Sequence, residues 1–469
     1  MASGLFARKP VAAFQRDLSD QQHALKRALG PLDLTLLGIG GIIGTGIFVL
    51  TGVAARQDAG PAVVASFALA GLVSALAALC YAEFATLLPI SGSAYSYAYA
   101  TLGELFAWII GWDLVIEYAV AASTVASGWS GYFGVIIGQF GLELPAALSV
   151  GAFAGDGGLL NVPALAIILA VSALLVVGVR ESASVNSAIV VLKTAVILYV
   201  IAAGVGHVAP ANWSPFMPFG WSGVVAGAGL VFFAYIGFDS VTTAAEEARN
   251  PERDMPIGII GSLLICTLLY IAVAGVITGM VPLPQIDTTA PLARAFRDVG
   301  ENLGASLISA GAIIGLSSVL LVLLYGQSRI FFAMSRDGLL PPFFSRIHPR
   351  FRTPHLSTLL VGGLVALAAA IFPLDELARF VSIGTLAAFV LVAAGVIVLR
   401  RTAPDLHRPF RCPWVPVLPG LCILACLYLM SALGWETWLR LGIWMGIGLV
   451  IYFFYGRRHS RVAQASRAQ

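Results

Sequence analysis

Long apolar runs alternate with short polar or basic segments along nearly the whole chain. Twelve of these runs predict membrane-spanning helices, because a helix needs about 20 apolar residues to cross a hydrocarbon core. They lie near residues 33–54, 61–88, 104–137, 161–180, 184–206, 219–247, 256–280, 304–335, 355–373, 376–400, 413–433 and 438–456. The run at 104–137 is long for one span, so we expect it to tilt steeply or to extend beyond the membrane.

The composition supports an all-α membrane protein. Of the 469 residues, 59% are apolar and only 11% are charged, against about 25% charged residues in a soluble domain. These values exclude a soluble enzyme, a nucleic-acid-binding protein, a disordered chain and a secreted disulfide scaffold. The five cysteines form no C-x-x-C pair, and the six histidines lie in tails, loops or span ends. We therefore expect the lipid bilayer as a partner, with no metal and no cofactor.

Basic residues predict the orientation, because cytoplasmic loops carry the excess of lysine and arginine. If the N-terminus is inside, the inside segments hold 21 of the 27 basic residues and the outside loops hold five. Both termini are therefore predicted to be cytoplasmic, with tails at 1–32 and 457–469. The remaining basic residue is Lys193, which lies within a span.

The spans form two blocks of similar length. Spans 1–5 cover 33–206 and spans 6–10 cover 219–402, followed by two further spans at 413–456. Each block opens with a span that is interrupted in its middle, by five glycines between residues 38 and 46 and by Phe233–Asp239. Because five crossings reverse the starting side, the second block is inverted relative to the first. Paired broken helices in inverted halves indicate a transporter site near the membrane midplane.

The glycines of the first break can be interpreted in two ways. Exposed backbone at a break offers N–H groups to an anion and carbonyls to an ammonium group, so a zwitterionic amino acid matches both. Here the break is formed around Gly40, Gly41 and Gly44, and glycine there would allow an unusual φ and leave room for a carboxylate. The alternative is close helix packing through small residues, which the Gly40 and Gly44 spacing also fits.

Four stretches resemble the amino acid–polyamine–organocation superfamily, and within it bacterial relatives of the cationic amino acid transporters. They are GIGGIIGTGIF (38–48), YAEFATLLPISGSAYSYAYATLGELFAWIIGWDLVIEY (81–118), FFAYIGFDSVTTAAEEARNPERDMPIGI (232–259) and RIFFAMSRDGLLPPFFSRIHPRFRTP (329–354). The resemblance implies a five-plus-five inverted-repeat fold with two extra helices, alternating access and a place in the bacterial inner membrane.

The resemblance also implies the positions of the substrate contacts. The substrate carboxylate is expected at the backbone N–H groups of Thr45 and Gly46, near the Thr45 hydroxyl. The α-ammonium group is expected at carbonyl oxygens on both sides of the site. These carbonyls belong to Ile42, Ile43, Phe233, Ala234 and Ile236. Phe233 is also expected to close over the substrate as a gate.

Lys193 lies about nine residues, or about 14 Å, inside span 5, which is too deep for its stem to reach water easily. A buried ammonium group either finds acceptors or loses its proton. The resemblance implies that it replaces a coupling cation between carbonyls near Gly40 or Gly41 and the hydroxyl of Ser317 or Ser318. Lys193 is therefore a predicted proton carrier, and a permanently charged structural role is the alternative.

Carboxylates within or near the spans are further candidates for proton transfer. Glu117, in the middle of span 3, is the second predicted proton-relay residue, or else it fixes span 3 against span 1. Glu83 is expected to have a structural or gating role. Asp113 is expected to face water or a neighbouring helix, and Asp239 to cap the helix that resumes after the second break.

These observations predict a secondary carrier that takes up an L-amino acid together with protons. An exchanger and a carrier of cationic amino acids remain alternatives. An intramembrane enzyme is not expected, because the spans hold no nucleophile paired with a base and no metal cluster. Leu323, six residues before Arg329, stands where the cationic carriers have a small polar residue, so we expect a pocket for small and medium neutral side chains.

Overall fold

The computed structural model of the protein describes residues 28–87, 93–155, 157–178, 183–351 and 353–460. Helices make up most of this part of the chain. Its extended pairings are two isolated bridges, Leu29 with Ala248 and Gly151 with Leu159. The predicted all-α class is therefore observed.

The main helices are labelled in chain order. They are α1 (Pro31–Ile42), α2 (46–59), α3 (Val63–Leu87), α4 (Ser93–Thr101), α5 (Glu104–Gly138), α6 (Val162–Val177), α7 (Ala183–Gly204), α8 (Gly220–Tyr235), α9 (Pro251–Met280), α10 (Pro291–Asp298), α11 (Asn302–Arg336), α12 (His355–Ile371), α13 (Leu374–Thr402), α14 (Val417–Ser431) and α15 (Trp435–Ile451).

Seven helical runs in the described part of the chain are long and apolar enough to cross a membrane. The first run, Gly46–Leu87, contains α2 and α3, which meet at Gly60, where a φ of 62° turns the chain. Five shorter apolar helices accompany them, namely α1, α6, α8, α12 and α14. Each predicted span corresponds to helical structure in this set, but residues 88 and 180, at predicted span ends, lie outside the described residues.

Two elements differ from the prediction. The predicted span at 219–247 is a continuous helical run only to Tyr235, and a single turn, Ser240–Thr243, follows. The short helices α4 and α10 lie in segments that are predicted to be loops. Helix α10 is not part of an apolar run because it is amphipathic, with buried Leu292 and Phe296 beside exposed polar residues.

Segments predicted to share one side of the membrane contact each other at one end of the bundle. Arg379 donates to both carboxylate oxygens of Asp58, at 2.9 and 2.8 Å. Arg56 donates to the carbonyl of Ile286 at 2.8 Å. These contacts tie the end of α2 to the start of α13 and to the segment before α10, all of which are predicted to be extracellular.

At the opposite end of the bundle, several segments contact Glu83, a carboxylate near the end of α3 that is 1% exposed. Arg400 donates to both of its oxygens, at 2.9 and 2.8 Å. The backbone N–H of Cys412 donates to it at 2.8 Å, and Arg408 lies 3.2 Å away. A buried carboxylate with this many donors fixes the end of α3 against α13 and the segment that follows it, which agrees with the structural role expected for Glu83.

Candidate functional site

The first break separates α1 from α2 in the interior of the protein. Helix α1 ends at Ile42, Ile43 is extended (φ −72°, ψ 100°) and the helix resumes at Gly46. The N–H of Ile43 still donates to Ile39, and Thr45 already has helical dihedral angles (φ −55°, ψ −27°). The irregular backbone is therefore confined to residues 43 and 44, within the interval predicted from the glycines. Residues Ile42 to Gly46 are all buried. Polar backbone groups are therefore present at the centre of an apolar bundle.

The second break follows α8. The last turn of α8, Phe232–Tyr235, is a 3-10 helix, and Ile236 is extended (φ −61°, ψ 135°). Gly237 then has a φ of 111°, in the left-handed region that favours glycine. The chain is helical again only for the turn Ser240–Thr243. The position of this break agrees with the prediction.

The two breaks lie directly against each other. A Cβ atom on Gly46 would overlap the Cα and Cβ atoms of Ala234, and a Cβ atom on Gly237 would lie 2.5 Å from the carbonyl oxygen of Gly41. The glycines of the first break do not have the unusual φ expected of them, since none of the five has a positive φ. Close packing explains three of them instead: a Cβ atom on Gly46 would overlap Ala234, one on Gly38 would overlap Ser262, and one on Gly40 would lie 2.6 Å from Val190.

Thr45 stands where the substrate carboxylate is predicted to bind. It immediately precedes α2 and is fully buried. Its hydroxyl oxygen has no hydrogen-bond partner among the described residues. The first backbone N–H groups of a helix have no acceptor within that helix, and they carry partial positive charge. A buried hydroxyl beside these N–H groups can bind a carboxylate.

Several carbonyls predicted to bind the substrate ammonium group accept hydrogen bonds from the protein instead. The Tyr270 hydroxyl lies 2.7 Å from the Ile42 oxygen and 3.1 Å from the Ala234 oxygen. Lys193 donates to the Ile43 oxygen, and the N–H of Ile236 donates to the Phe233 oxygen. Buried carbonyls require donors. A substrate ammonium group would therefore use their second lone pairs or displace these donors.

Tyr270 is a residue of this site that sequence reasoning missed. It lies on α9, is fully buried, and packs its ring against Tyr235 and Phe67 at centroid distances of 5.6 and 5.4 Å. Its hydroxyl group is within hydrogen-bond distance of a carbonyl oxygen at each of the two breaks. In the sequence it is an ordinary tyrosine in an apolar run, so only its position in the fold reveals the contact.

Lys193 on α7 is 1% exposed and meets the first break. Its Nζ donates to the carbonyl of Gly40 at 2.6 Å and to that of Ile43 at 3.1 Å. Its stem packs against α11, where a Cβ atom on Gly315 would lie 2.8 Å from the lysine Cγ and Cδ atoms. An ammonium group at this position donates hydrogen bonds to carbonyl oxygens at the C-terminal end of α1, where a bound cation would also be stabilised.

The predicted serine partners of Lys193 are engaged elsewhere in this conformation. Ser317 donates to Ile313 and accepts from the indole N–H of Trp129 at 3.0 Å. Ser318 donates to Gly315 at 3.0 Å. Hydroxyl groups in helices commonly donate to a carbonyl one turn earlier, which explains the difference from the prediction.

Three carboxylates, Asp113, Glu117 and Asp239, are buried within the helix bundle. Glu117 and Asp113 are 3% and 2% exposed, and Glu117 lies near Asp113, Asp239 and Thr385. Both Asp113 oxygens lack a hydrogen-bond partner among the described residues. Asp113 faces the neighbouring helix α13, where a Cβ atom on Gly384 would lie 2.8 Å from its Oδ1 atom, so of the two expected surroundings, water and a neighbouring helix, the second is observed. The side chain of Asp239 does not cap the following turn. Its carbonyl accepts from Thr242 instead.

The predicted side-chain pocket residue, Leu323, is half-buried on α11. Val319, one turn earlier, is closer to the first break, because a Cβ atom on Gly44 would lie 3.6 Å from its methyl group. From the other side, a Cβ atom on Gly128 of α5 would lie 2.9 Å from Thr45. Phe233, the predicted gate, is 6% exposed.

Comparisons with known proteins show the family of the chain. A family model described as amino acid permease matches residues 29–461. The chain is 51% identical to the branched-chain amino acid permease BcaP of Bacillus subtilis, over 99% of this chain and 100% of the relative. It is 50% identical to a methylthioribose transporter of the same organism, over 98% and 99%. It is also 34% identical to the vacuolar cationic amino acid transporter 4 of Arabidopsis thaliana, over 99% and 97%.

Proposed function

Because the chain belongs to the amino acid permease family, as its motifs indicate, we propose that it takes up neutral L-amino acids together with protons by alternating access. The observation that carries this proposal is the contact between the two broken helices, next to the buried hydroxyl of Thr45 at the start of α2, which has no hydrogen-bond partner within the part of the chain that the structure describes. The carboxylate would bind at Thr45 and Gly46, and the ammonium group at the carbonyls of the two breaks. No cofactor takes part.

We further propose twelve spans arranged as two inverted repeats, with both termini in the cytoplasm of a bacterium. The seven long and five shorter apolar helices found among the described residues support this arrangement. The excess of basic residues in alternate loops supports this orientation, and the contacts of Arg379 with Asp58 and of Arg400 with Glu83 join segments that this topology assigns to the same side.

Proton coupling is proposed from the surroundings of Lys193. The Lys193 ammonium group donates to the carbonyl oxygens of Gly40 and Ile43 and so stabilises one arrangement of the first break. Loss of its proton would remove a charge-assisted hydrogen bond, worth about 1.5–3 kcal/mol, and so favour another arrangement. Glu117 is proposed as the second proton-relay residue. An exchanger with a fixed charge on Lys193 is the alternative.

We propose that the site prefers amino acids with uncharged side chains, because apolar side chains lie near the first break. Val319 and Leu323 offer no acceptor to a guanidinium or ammonium side chain, which would lose several kcal/mol of hydration without compensation. The name of the Bacillus subtilis branched-chain permease supports neutral substrates of medium size. We therefore propose leucine, valine and alanine as test substrates.

A competition assay tests this selectivity. In proteoliposomes, leucine, valine and alanine should reduce uptake of labelled leucine, whereas arginine and lysine should compete poorly. The methyl ester and the N-acetyl derivative of leucine should also fail, because each lacks one of the two charges. Leu323→Ser should shift preference toward longer or cationic side chains. Equal competition by arginine would contradict the neutral pocket, and displacement by methylthioribose but not by alanine would contradict recognition of the α-amino and carboxyl groups.

A further inference from the structure

The loop between α5 and α6, residues 139–160, has an apolar surface, and we call it the α5–α6 loop. Of its 22 residues two are charged, Glu143 and Asp156, and none is basic. The segment at 281–301, which is also predicted to be extracellular, has five charged residues in a similar length. In the α5–α6 loop, four large apolar side chains are 64–77% exposed, namely Phe140, Leu142, Phe153 and Leu159. Surfaces in water rarely expose so many apolar side chains in one short segment, so this loop requires an apolar partner.

The α5–α6 loop folds back on itself through its own backbone. The N–H groups of Leu159 and Leu160 donate to the carbonyl of Ala147, at 3.2 and 3.0 Å. The N–H of Val150 donates to the carbonyl of Ala146 at 3.0 Å. Backbone that contacts hydrocarbon must find its hydrogen-bond partners inside the protein, because lipid tails offer none. These bonds therefore suit the loop to an apolar environment.

The exposed face of α12 leads directly to the α5–α6 loop. Leu360, Leu364 and Leu367 recur at helical spacing and are 43–61% exposed, so they face lipid in the proposed topology. Just beyond the end of α12, the ring of Phe372 is stacked on that of Phe153 at a centroid distance of 5.2 Å. The apolar surface of α12 therefore continues onto the loop through this pair of rings.

Helices α6 and α12 are both short for a membrane span. They have 16 and 17 residues, which correspond to about 24 and about 26 Å of helix, whereas the hydrocarbon core is about 30 Å thick. The two helices pack against each other and are joined at both ends. The N–H of Asn161 donates to Ala370 at 2.9 Å at one end, and the hydroxyl of Thr353 donates to Val176 at 2.7 Å at the other. The pair therefore leaves several ångströms of the core uncovered.

The uncovered part of the core is at the extracellular end of this pair. The predicted cytoplasmic end adjoins the sequence R-F-R-T-P at 350–354, and such arginines place this end among the lipid headgroups. At the other end, the α5–α6 loop precedes α6 and Phe372 follows α12. Apolar side chains of the loop at that level would complete the hydrophobic thickness of the pair.

We propose that the α5–α6 loop lies at the outer edge of the hydrocarbon layer and binds lipid acyl chains through Phe140, Leu142, Phe153 and Leu159. The loop extends the short pair α6 and α12 to the full thickness of the bilayer and fixes the depth of their extracellular ends. Because the loop has acidic residues and no basic ones, its contact with lipid does not depend on anionic headgroups. This position of the loop depends on the proposed membrane topology, but not on the proposed substrate or on proton coupling.

Collision rates of nitroxide labels test this position. The variants Phe140→Cys, Leu142→Cys and Leu159→Cys are labelled one at a time, and the five native cysteines, at most 3% exposed, are retained. Leu364→Cys, on the exposed face of α12, is the reference in lipid, and Asp298→Cys, in the polar segment at 281–301, is the reference in water. Each protein is reconstituted in dioleoylphosphatidylcholine vesicles. Collisions with oxygen, which concentrates in lipid, are compared with collisions with a water-soluble nickel chelate that is present on both sides.

Labels at residues 140, 142 and 159 should collide with oxygen more often than with the nickel chelate, as the label at 364 should, and added phosphatidylglycerol should leave this ratio unchanged. The ratio of the label at 298 would place the loop in water and overturn the proposal. Few collisions with either reagent would mean that a second copy or another protein covers the loop, which would also overturn it. A label at 364 without the lipid ratio would overturn the proposed topology as well, so the two failures are distinguishable.

Bilayer thickness provides a second test. The variant Phe140→Gln/Leu142→Gln/Leu159→Gln makes the loop polar, and its matched control is Phe140→Met/Leu142→Met/Leu159→Met. In dioleoylphosphatidylcholine the glutamine variant should unfold at a lower temperature than the parent, because amide groups lose their hydration in hydrocarbon, whereas the control should match the parent. The difference should shrink in the thinner dimyristoleoylphosphatidylcholine bilayer, whose core ends nearer to the ends of α6 and α12. An equal loss in both bilayers, or no loss in either, would overturn the proposal.

Discussion

Replacing Lys193 with methionine should abolish the accumulation of leucine that a pH gradient drives, while the protein remains folded. Methionine keeps most of the length of the side chain but cannot donate to Gly40 or Ile43. Two charge-assisted hydrogen bonds, each worth about 1.5–3 kcal/mol, are lost. We expect gradient-driven uptake to fall by roughly 100-fold or more on this energy scale.

Thr194→Ala is the matched control for this variant. Thr194 is the next residue on α7, and its hydroxyl donates to Val190 within the same helix at 2.8 Å. This variant should keep parental uptake and parental dependence on the pH gradient. Accumulation at the parental level in Lys193→Met would remove the lysine from the coupling mechanism.

Replacing Gly46 with alanine should have the second large effect, on both leucine binding and thermal stability. Its Cβ atom would overlap Ala234, so the two breaks would have to move apart. Overpacking of this kind costs about 1–3 kcal/mol, and the carboxylate site on the first break would move away from the carbonyls of the second break that are proposed to bind the ammonium group. We expect Gly46→Ala to lose leucine binding and to unfold at a lower temperature than the parent.

Gly44→Ala separates the effect on the substrate from the effect on packing. A Cβ atom on Gly44 would meet the methyl groups of Val319 at 3.6 and 3.7 Å, an ordinary contact. This variant should unfold at the parental temperature, and the larger Gly44→Val should lose binding because its side chain enters the space that the carboxylate needs. Parental leucine affinity in folded Gly46→Ala and Gly44→Val would contradict the site.

Hydropathy predicted the helices well because membrane spans are set by length and composition. The predicted span 376–400 is Leu374–Thr402 in the structure, and both breaks lie in the predicted intervals because glycine and polar residues interrupt otherwise apolar runs. Lys193 could be singled out because one basic residue in a span is costly. These features depend on residues close together in the sequence.

The contacts that connect distant segments could not be predicted in the same way. Tyr270 is 228 residues from Ile42, and nothing in its local sequence distinguishes it from a packing residue. Glu83 was recognised as a carboxylate near the end of a span, but its partner Arg400 is 317 residues away. Leu29 pairs with Ala248 through backbone groups, and the identity of the side chains does not specify such a pairing.

Accumulation of labelled leucine in proteoliposomes with an imposed acidic exterior tests the central claim most directly. The account predicts that leucine rises transiently above its equilibrium level inside the vesicles, and that a protonophore abolishes this accumulation. Leucine that only equilibrates, at the same rate with and without the gradient, or that moves only in exchange for internal amino acid, would contradict proton-coupled uptake.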